Sequence, residues 1–479
     1  MKDMSKFSKK EEYDLILKNF IFPLIGVPFG GSQLESRPHN NSKLIEYLPE
    51  KSELIINESE TGDKCFVINV SKLFPVQTLS LINTVMSQIN GYRYHNSGNE
   101  KKYSYLQLIN EYAYLTQKGV INWLCADGEY SKNIEYLINS LEKWKDRTYE
   151  GKNVNYAFSI KVNHENKLNT NNPEENVKNF CDFLDEEYSA TFSDGVNSVI
   201  ELDENLRFIG YKSLTSLSQI EHDFNVGPVR FADVLNNFYD DRLGVMLLTN
   251  GDIILIKNKE IKLVKREGKW LNFSKDVFVS FISALINKED EYFVKLANEI
   301  YLSALDVSFS HAGGIIAYEL YKNEDAITKP DLYKMYVSKG EDVPEDEDKP
   351  VLHFIDNLLS KLKDYDSLVK ENAKYFASDE TKKRIRKREF IQKVATGNKF
   401  YDIDRKLRME LIAMDGATII RENGNLLAVG AIIQNESGSY GGGRGAAARR
   451  LSQFGFAIKI STDGYIECYK DGKKVFNIK

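Results

Sequence analysis

Two short motifs near the end of the chain carry residues that suit chemistry. Asp415-Gly416-Ala417 stands directly before an apolar run that is typical of a strand. Further along, Gly441-Gly442-Gly443-Arg444-Gly445 runs into Ala446-Ala447-Ala448-Arg449-Arg450, which indicates a flexible loop followed by a helix. Because the first N–H groups of a helix have no internal partner, a glycine-rich loop at that position forms an anion site. The Arg444 guanidinium is placed to fork onto phosphate oxygens there.

Short turns on either side of the glycine-rich run predict the strands that position these motifs. Gly424-Asn425 separates the strand after Ala417 from a second apolar run, Leu426 to Ile433, and this spacing predicts a hairpin or a pair of adjacent strands. Asp463-Gly464 joins Phe456–Ser461 to Tyr465–Tyr469 and predicts another. The sequence therefore predicts a mixed sheet with helices in this part of the chain.

The order of these features resembles the diadenylate cyclase domain. In that family the DGA aspartate holds a metal ion near the attacking ribose hydroxyl, and an Arg-His-Arg triplet after the glycine loop contacts phosphate. The resemblance implies a divalent metal, Mg²⁺ or Mn²⁺, at Asp415, and ATP or a cyclic dinucleotide as ligand. The nucleotide-binding residues that it implies are Asp415, Gly416, Ala417, Gly442, Gly443, Arg444, Arg449 and Arg450.

The chain departs from the family pattern in the triplet. Arg444 matches the first arginine, but Gly445 and Ala446 stand where the family has histidine and a second arginine. Arg449 and Arg450 lie about one helical turn further on, and they compensate for the loss if the loop register shifts. Catalysis by Asp415 therefore depends on whether that charge is restored.

The resemblance extends upstream to Tyr301–Glu319, where Gly313-Gly314 precedes an apolar strand. His311 borders that strand, and a backbone carbonyl is favoured over a ligand as its partner. The similarity spans Asn272 to Lys479 with a helical insertion at about residues 326–400. A fainter similarity, in PVRFADVL and the stretch that follows it, is to the segment ahead of degenerate cyclase-like domains of the DACNV type, a predicted sensor class. The plainer interpretation of that segment is an accessory β-rich layer.

Each motif also has an ordinary structural interpretation. DGA before a strand occurs by chance in many proteins, and a glycine-rich run is as often a plain connection. The order and spacing of the motifs, with the upstream match, favour the nucleotide site.

Composition bounds the class of protein. The 479 residues carry a net charge of −6 with both signs interspersed, which gives no general attraction to nucleic acid. The four cysteines, Cys65, Cys125, Cys181 and Cys468, are isolated, so neither a zinc ribbon nor a redox pair is supported. No apolar run is long enough to span a bilayer, and the first residues are charged. A cytoplasmic protein without a membrane anchor is the expectation.

The length predicts several domains, of α/β to α+β class. An N-terminal α+β domain is expected over residues 1–165, a β-rich linking domain over 176–271, and the cyclase-like domain over 272–479. The polar stretch from Leu168 to Glu175 separates the first two. Within the first domain the patterns predict a helix from Tyr103 to Gln117 that ends before Gly119, and a buried strand from Val120 to Ala126.

Two functions from different classes fit the sequence. In the first, the C-terminal domain binds a nucleotide or nucleotide second messenger without turning it over. In the second, it is an active diadenylate cyclase that joins two ATP molecules in a face-to-face dimer. A purely structural interaction module is a third class. The sensor class implies bacterial signalling or antiphage defence, with a homodimer or an effector protein as partner.

Overall fold

The computed structural model describes residues 9–26, 35–37, 44–51, 53–57, 65–69, 75–96, 105–126, 130–161, 189, 193, 197–214, 228, 231, 235, 238, 242–286, 291–319, 398–414, 416–431, 433 and 442–479. They fall into two compact units. One lies within Met1–Asn287 together with Phe476–Lys479, and the other within Lys288–Val475.

The first unit combines helices with two larger sheets. Its helices are α1 (Lys9–Ile16), α2 (Phe22–Ile25), α3 (Val76–Asn96), α4 (Tyr105–Cys125), α5 (Ser131–Trp144) and α6 (Lys275–Ile286), with a π-helical turn at Leu17–Ile21. Its strands are β1 (Glu35–Arg37), β2 (Ile45–Leu48), β3 (Glu53–Asn57), β4 (Cys65–Asn69), β5 (Thr148–Tyr149), β6 (Lys152–Asn153), β7 (Tyr156–Lys161), β8 (Ser198–Asp203), β9 (Phe208–Ser213), β10 (Arg242–Leu247), β11 (Ile253–Lys257), β12 (Glu260–Arg266) and β13 (Lys269–Asn272).

Strands from both sides of the expected linker share one sheet. The order of that seven-stranded sheet is β13-β12-β11-β10-β7-β8-β9. β7 pairs in parallel with β8 and antiparallel with β10, so it lies inside the sheet. The linker expected at Leu168–Glu175 lies outside the described residues. The three-part division of the chain stays a prediction, and this pairing means that its first two parts both contribute strands to the same sheet.

The prediction of a strand at Val120–Ala126 is wrong. α4 continues through Gly119 to Cys125. A Cβ on Gly119 would lie 2.6 Å from the Cα of Val85 in α3, so this glycine marks the close approach of two helices and does not end one. An apolar run of this length cannot be told from a buried helical segment by periodicity alone. The packing of α4 on α3 decides its conformation.

We expect Gly119→Ala to destabilise the first unit by about 1–3 kcal/mol, because the added methyl group forces the backbones of α3 and α4 apart. Gly91→Ala in α3 is the matched control. A Cβ there meets nothing within 4 Å, so the better helix propensity of alanine should stabilise the protein by about 0.5–1 kcal/mol. Urea unfolding followed by tryptophan fluorescence measures both. Equal effects of the two substitutions would contradict this packing.

The second unit is built on one mixed sheet. Its helices are α7 (Glu291–Ser310), α8 (Arg405–Ala413) and α9 (Gly442–Leu451), with single 3₁₀ turns at Phe400–Asp402 and Ser452–Phe454. Its strands are β14 (Gly314–Glu319), β15 (Ala417–Arg421), β16 (Leu426–Ala431), β17 (Gly455–Ile460), β18 (Ile466–Lys470) and the first half of β19 (Lys473–Ile478), which belongs to the first unit from Phe476 onward. The strand order is β16-β15-β14-β17-β18-β19, with β14 and β15 parallel. Both predicted hairpins, β15–β16 and β17–β18, are confirmed.

Alternate residues of the central strands pack on different helices. Ile315 and Ala317 of β14 share a buried cluster with Ala447 and Ala448 of α9. On the opposite face, the Tyr318 ring stacks on Phe456 with ring centroids 5.2 Å apart, and Phe293 of α7 contacts it edge-on at 6.0 Å. Because strand side chains alternate between the two faces, α9 covers one face of the sheet and α7 the other.

Buried ion pairs join α8 to α7. Arg405 donates Nε to Asp306 Oδ2 at 2.7 Å and Nη2 to Oδ1 at 3.0 Å, and the Asp306 side chain is 1% exposed. Arg408 pairs with Glu299 at 2.5 Å. The Asp404 side chain caps the first turn of α8 by accepting from the Lys406 and Leu407 amides. These contacts hold α8, whose last residue, Ala413, is separated from the DGA motif by Met414 alone.

The structure confirms a chain that mixes helices with sheets in both units. The large insertion expected at residues 326–400 lies almost entirely outside the described residues. Within the described part of the chain, no helix combines the length and the hydrophobicity that a bilayer crossing needs.

Candidate functional site

The DGA glycine occupies a backbone position that only glycine fits. Gly416 has φ +104°, and a Cβ there would lie 2.4 Å from the carbonyl carbon of Gly430 and 2.6 Å from the carbonyl oxygen of Ala431. Any side chain would collide with the β16 backbone, so glycine permits the close approach of two strands. The next residue, Ala417, is 1% exposed and lies in the buried cluster with the α9 alanines. The two sequence motifs therefore pack against one core.

The metal site remains a prediction. Asp415, the implied ligand, lies outside the described residues. Elsewhere in the described ranges, no group of three or more histidine, cysteine, aspartate or glutamate side chains is arranged to hold a metal ion. The prediction of a divalent metal therefore depends on Asp415 alone.

The helix begins earlier than the glycine pattern predicts. α9 starts at Gly442, so Gly442, Gly443 and Gly445 belong to its first turn and not to a preceding loop. Gly442 has φ +77°, which glycine alone adopts at little cost. A Cβ on Gly442 or on Gly443 would meet nothing within 4 Å. Gly442 and Gly443 therefore have no side chains that would cover the backbone amide groups in the N-terminal turn of α9.

Arg444 lies against Gly313, the residue directly before β14. Its Nη1 is 2.5 Å from the point where a Cβ on Gly313 would stand, and the amide nitrogen of Thr462 is 3.2 Å from the same point. Gly313 has φ +70°, so it also supplies a backbone conformation that other residues avoid. Among the residues that the structure describes, the Arg444 guanidinium makes no hydrogen bond or ion pair. It is a cation at a helix N-terminus with no acceptor from that part of the chain.

His311 also lies beside Thr462. Its Nδ1 lies 3.1 Å from the carbonyl oxygen of Thr462, in the loop between β17 and β18. The sequence-based preference for a backbone carbonyl as the partner of this histidine is confirmed.

Two further cations lie beside Gly445, where the cyclase family has its histidine. Arg449 Nη2 is 3.7 Å, and Lys459 Nζ 3.9 Å, from the position of a Cβ on Gly445. Compensation by Arg449, which was expected if the loop register shifts, stays a prediction. The other candidate, Arg450, has a buried Nε with no hydrogen-bond partner in the described residues.

A single buried carboxylate holds Lys459 in place. Glu467 Oε2 accepts a hydrogen bond from Lys459 at 2.9 Å and another from the Tyr469 hydroxyl at 2.9 Å, and Oε1 accepts from Lys474. Burial by itself would raise the pKa of Glu467, but the hydrogen bonds from the two lysines outweigh it and lower the pKa to about 2. Arg449 hydrogen-bonds to the same Tyr469 hydroxyl. Burial and the Glu467 charge raise the pKa of that hydroxyl, so Tyr469 stays neutral.

We expect the free energy of unfolding to depend on pH through the protonation of Glu467. Its pKa in the folded protein lies below the ordinary 4.5, so its contribution is present above about pH 4.5 and is lost as the pH falls towards 2. The difference in unfolding midpoint between the wild type and Glu467→Gln should therefore shrink below pH 4.5. A difference that stays constant from pH 7 to pH 3 would contradict the depressed pKa.

Comparisons with known proteins add little. No protein-family model matches the sequence, and no curated protein matches it either. Among solved structures, one match is to a double-cysteine variant of DacA from Staphylococcus aureus, with 14% identity over 39% of this chain and 87% of that chain, and a TM-score of 0.22. At that TM-score the match supports no conclusion about this chain.

Sequence reasoning missed Lys459 and Glu467. A signal for them was present, since each interrupts an otherwise apolar strand on either side of Asp463-Gly464. The hairpin register places the two residues directly opposite each other. In antiparallel strands, directly opposed residues on one face interact, so the turn and the two charges together predict this pair.

Proposed function

We propose that residues 288–475 bind the phosphate groups of a nucleotide, ATP or a cyclic dinucleotide, and act as a sensor that does not turn the ligand over. The observation that carries this proposal is the Arg444 guanidinium, held at Gly313 and at the N-terminal turn of α9 without an acceptor among the described residues. Helix N-termini favour anions, and a guanidinium forms paired hydrogen bonds with phosphate oxygens. The similarity of the DGA and glycine-arginine motifs to the diadenylate cyclase domain agrees with this ligand class.

The two residues that follow Arg444 favour binding without turnover. Gly445 and Ala446 have no side-chain group that accepts or donates a proton, whereas the family pattern has histidine and arginine there. Phosphoryl transfer needs charge stabilisation on the transferring group, and the loss of one such donor typically costs about a hundredfold or more in rate. When Mg²⁺ or Mn²⁺ is bound, Asp415 is the residue that we assign to hold it.

The biological setting that we propose is bacterial signalling or antiphage defence, with a homodimer or an effector protein as partner. The degenerate-sensor resemblance in the linking segment supports this setting.

The test is to incubate the full-length protein with ATP and Mn²⁺, and in parallel with cyclic di-AMP. Retained nucleotide and released product are then measured by mass spectrometry after ultrafiltration. We expect bound nucleotide and no dinucleotide product. Formation of diadenylate at a rate typical of enzymes would show an active cyclase, and retention of neither nucleotide would reject the site. Asp415→Asn serves as the metal arm: it should remove any dependence of ATP affinity on Mn²⁺.

A further inference from the structure

Strand β9 forms one edge of the seven-stranded sheet in the first unit, and its large apolar side chains are exposed. Phe208 is 60% exposed, and Ile209 and Tyr211 are each 53% exposed. At the opposite edge of the same sheet, Trp270 and Leu271 of β13 are 3% and 0% exposed. Proteins usually cover or charge an edge strand, because its unpaired backbone groups bind other strands. An apolar edge that stays exposed therefore indicates an interaction surface.

The hydrogen bonds between β8 and β9 show which backbone groups of β9 face outward. The Leu214 amide, directly after β9, donates to the carbonyl oxygen of Asn197, directly before β8, at 2.7 Å. In an antiparallel pair, alternate residues direct both of their backbone groups towards the same neighbouring strand. Lys212 and Gly210 therefore also face β8, whereas Tyr211 faces away from it. In the described part of the chain, no strand pairs with this outer side of β9.

An acidic and a basic side chain lie near this edge on the same face of the sheet. Glu201 of β8 lies opposite Gly210, and Lys212 is two residues further along β9. Glu201 Oε1 accepts a hydrogen bond from Arg242 at 2.6 Å, and Oε2 lies 3.9 Å from the point where a Cβ on Gly210 would stand. Among the described residues, Lys212 makes no ion pair. A second lysine that reached over Gly210 would therefore find a carboxylate oxygen there.

We propose that β9 pairs with β9 of a second copy of this chain, antiparallel and about a twofold axis at Tyr211. The outward-facing N–H and C=O groups of Tyr211 then bond to the same groups of the second copy. Gly210 lies opposite Lys212 of the second copy, at a Cα–Cα distance of about 4.5 Å, because this pair shares no backbone hydrogen bond. The lysine extends over the glycine towards Glu201 Oε2, and the symmetry forms this ion pair twice.

Charge selects this register among the neighbouring ones. An axis at Lys212 would place two like charges directly opposite each other, which is unfavourable. An axis at Gly210 would place Lys212 opposite Phe208 and would leave Glu201 without the second cation. The axis at Tyr211 brings the opposite charges together, and it places the two tyrosines side by side. This inference concerns the first unit and does not rest on nucleotide binding.

Tyr211→Cys tests the register. Cysteines that face each other on the axis have Cα atoms about 5.5 Å apart, a distance that a disulfide spans. The full-length variant, oxidised with diamide, should therefore form a disulfide-linked dimer on a non-reducing gel, and the wild type should not. Ser213→Cys is the matched control, because position 213 is also exposed and lies on the same face as position 211. In this register its copy is more than about 13 Å away, so it should not cross-link.

Lys212→Glu tests the ion pair. Sedimentation of the wild type from about 1 to 100 µM should show a mass that rises towards two chains, as expected for a small interface. Lys212→Glu places like charges together twice in each dimer, so it should raise the dissociation constant about tenfold or more. Lys152→Glu makes the same change of charge at an exposed position in β6 and should leave the constant within about twofold. Equal weakening by both variants would show a general charge effect and overturn the proposal.

The remaining outcomes are also decisive. A wild type that stays monomeric throughout this range overturns the proposal and leaves β9 as a surface for a strand of a different protein. A wild type that dimerises, while folded Tyr211→Cys cross-links no better than Ser213→Cys, uses another surface and also overturns it. The assays contain no nucleotide, so their outcome is separate from success or failure of the site at Arg444.

Discussion

Arg444→Ala is expected to weaken ATP binding about ten- to a hundredfold, which corresponds to roughly 1.5–3 kcal/mol for the loss of charge-assisted hydrogen bonds. The guanidinium lies against Gly313. This residue has φ +70°, a conformation that favours glycine, and it lacks the Cβ that would collide with the guanidinium. In the described part of the chain, no acceptor hydrogen-bonds to this guanidinium. Its N–H donors therefore gain no replacement partner there when the phosphate dissociates. Isothermal titration of ATP at fixed Mn²⁺ measures the change.

Two comparisons make that result specific. Lys473→Ala removes one positive charge from an exposed position in β19 and should leave the affinity within about twofold, as expected for a solvated charge. Arg444→Lys keeps the charge but not the paired donors, and should recover only part of the affinity. If Arg444→Ala binds ATP as tightly as the wild type does, the guanidinium at Gly313 is not a ligand contact.

Asp306→Ala is expected to destabilise the second unit by about 3–5 kcal/mol, because it leaves the Arg405 guanidinium buried without its carboxylate. Asp306 is 1% exposed, and it accepts two hydrogen bonds from Arg405, which join α8 to α7 beside the Arg408–Glu299 pair. Hydrogen exchange of the β14 and β15 peptides, followed by mass spectrometry, should become about a hundredfold faster or more. Because only Met414 separates α8 from the DGA motif, ATP affinity should fall as well.

The paired substitution Asp306→Leu with Arg405→Met is the decisive control for the buried pair. Removal of both charges leaves no unpaired ion, so the double variant should be much closer to the wild type than Asp306→Ala is. Lys406→Ala, an exposed charge in the same helix, should have little effect. Unchanged exchange in Asp306→Ala would show that the pair does not hold α8 in place.

Local chemistry made several elements predictable from the sequence. The Gly424-Asn425 and Asp463-Gly464 turns set the β15–β16 and β17–β18 hairpins, and the structure has both. Such turns act within a few residues, where backbone conformation is limited by the side chain or by its absence. Helix α5, Ser131–Trp144, buries Ile134, Leu137, Ile138 and Leu141, and the spacing of these apolar residues is by itself helical.

Tertiary packing decided the features that depend on distances between remote residues. Gly119 looked like the end of a helix, but its neighbour is Val85 of α3, and the close contact keeps α4 continuous. The pairing of Asp306 with Arg405 spans 99 residues, and no local pattern connects them.

The candidate site also combines features that the sequence predicts with features that only the tertiary structure shows. The motifs identified Arg444 and the glycines around it, since backbone freedom and charge are properties of single residues. Only the folded chain shows that Arg444 lies at Gly313 and that Lys459 Nζ lies 3.9 Å from the position of a Cβ on Gly445. The sequence therefore determined which residue types were available for binding an anion. The tertiary structure decided which of them meet, because a contact between strands and helices depends on how the whole sheet packs.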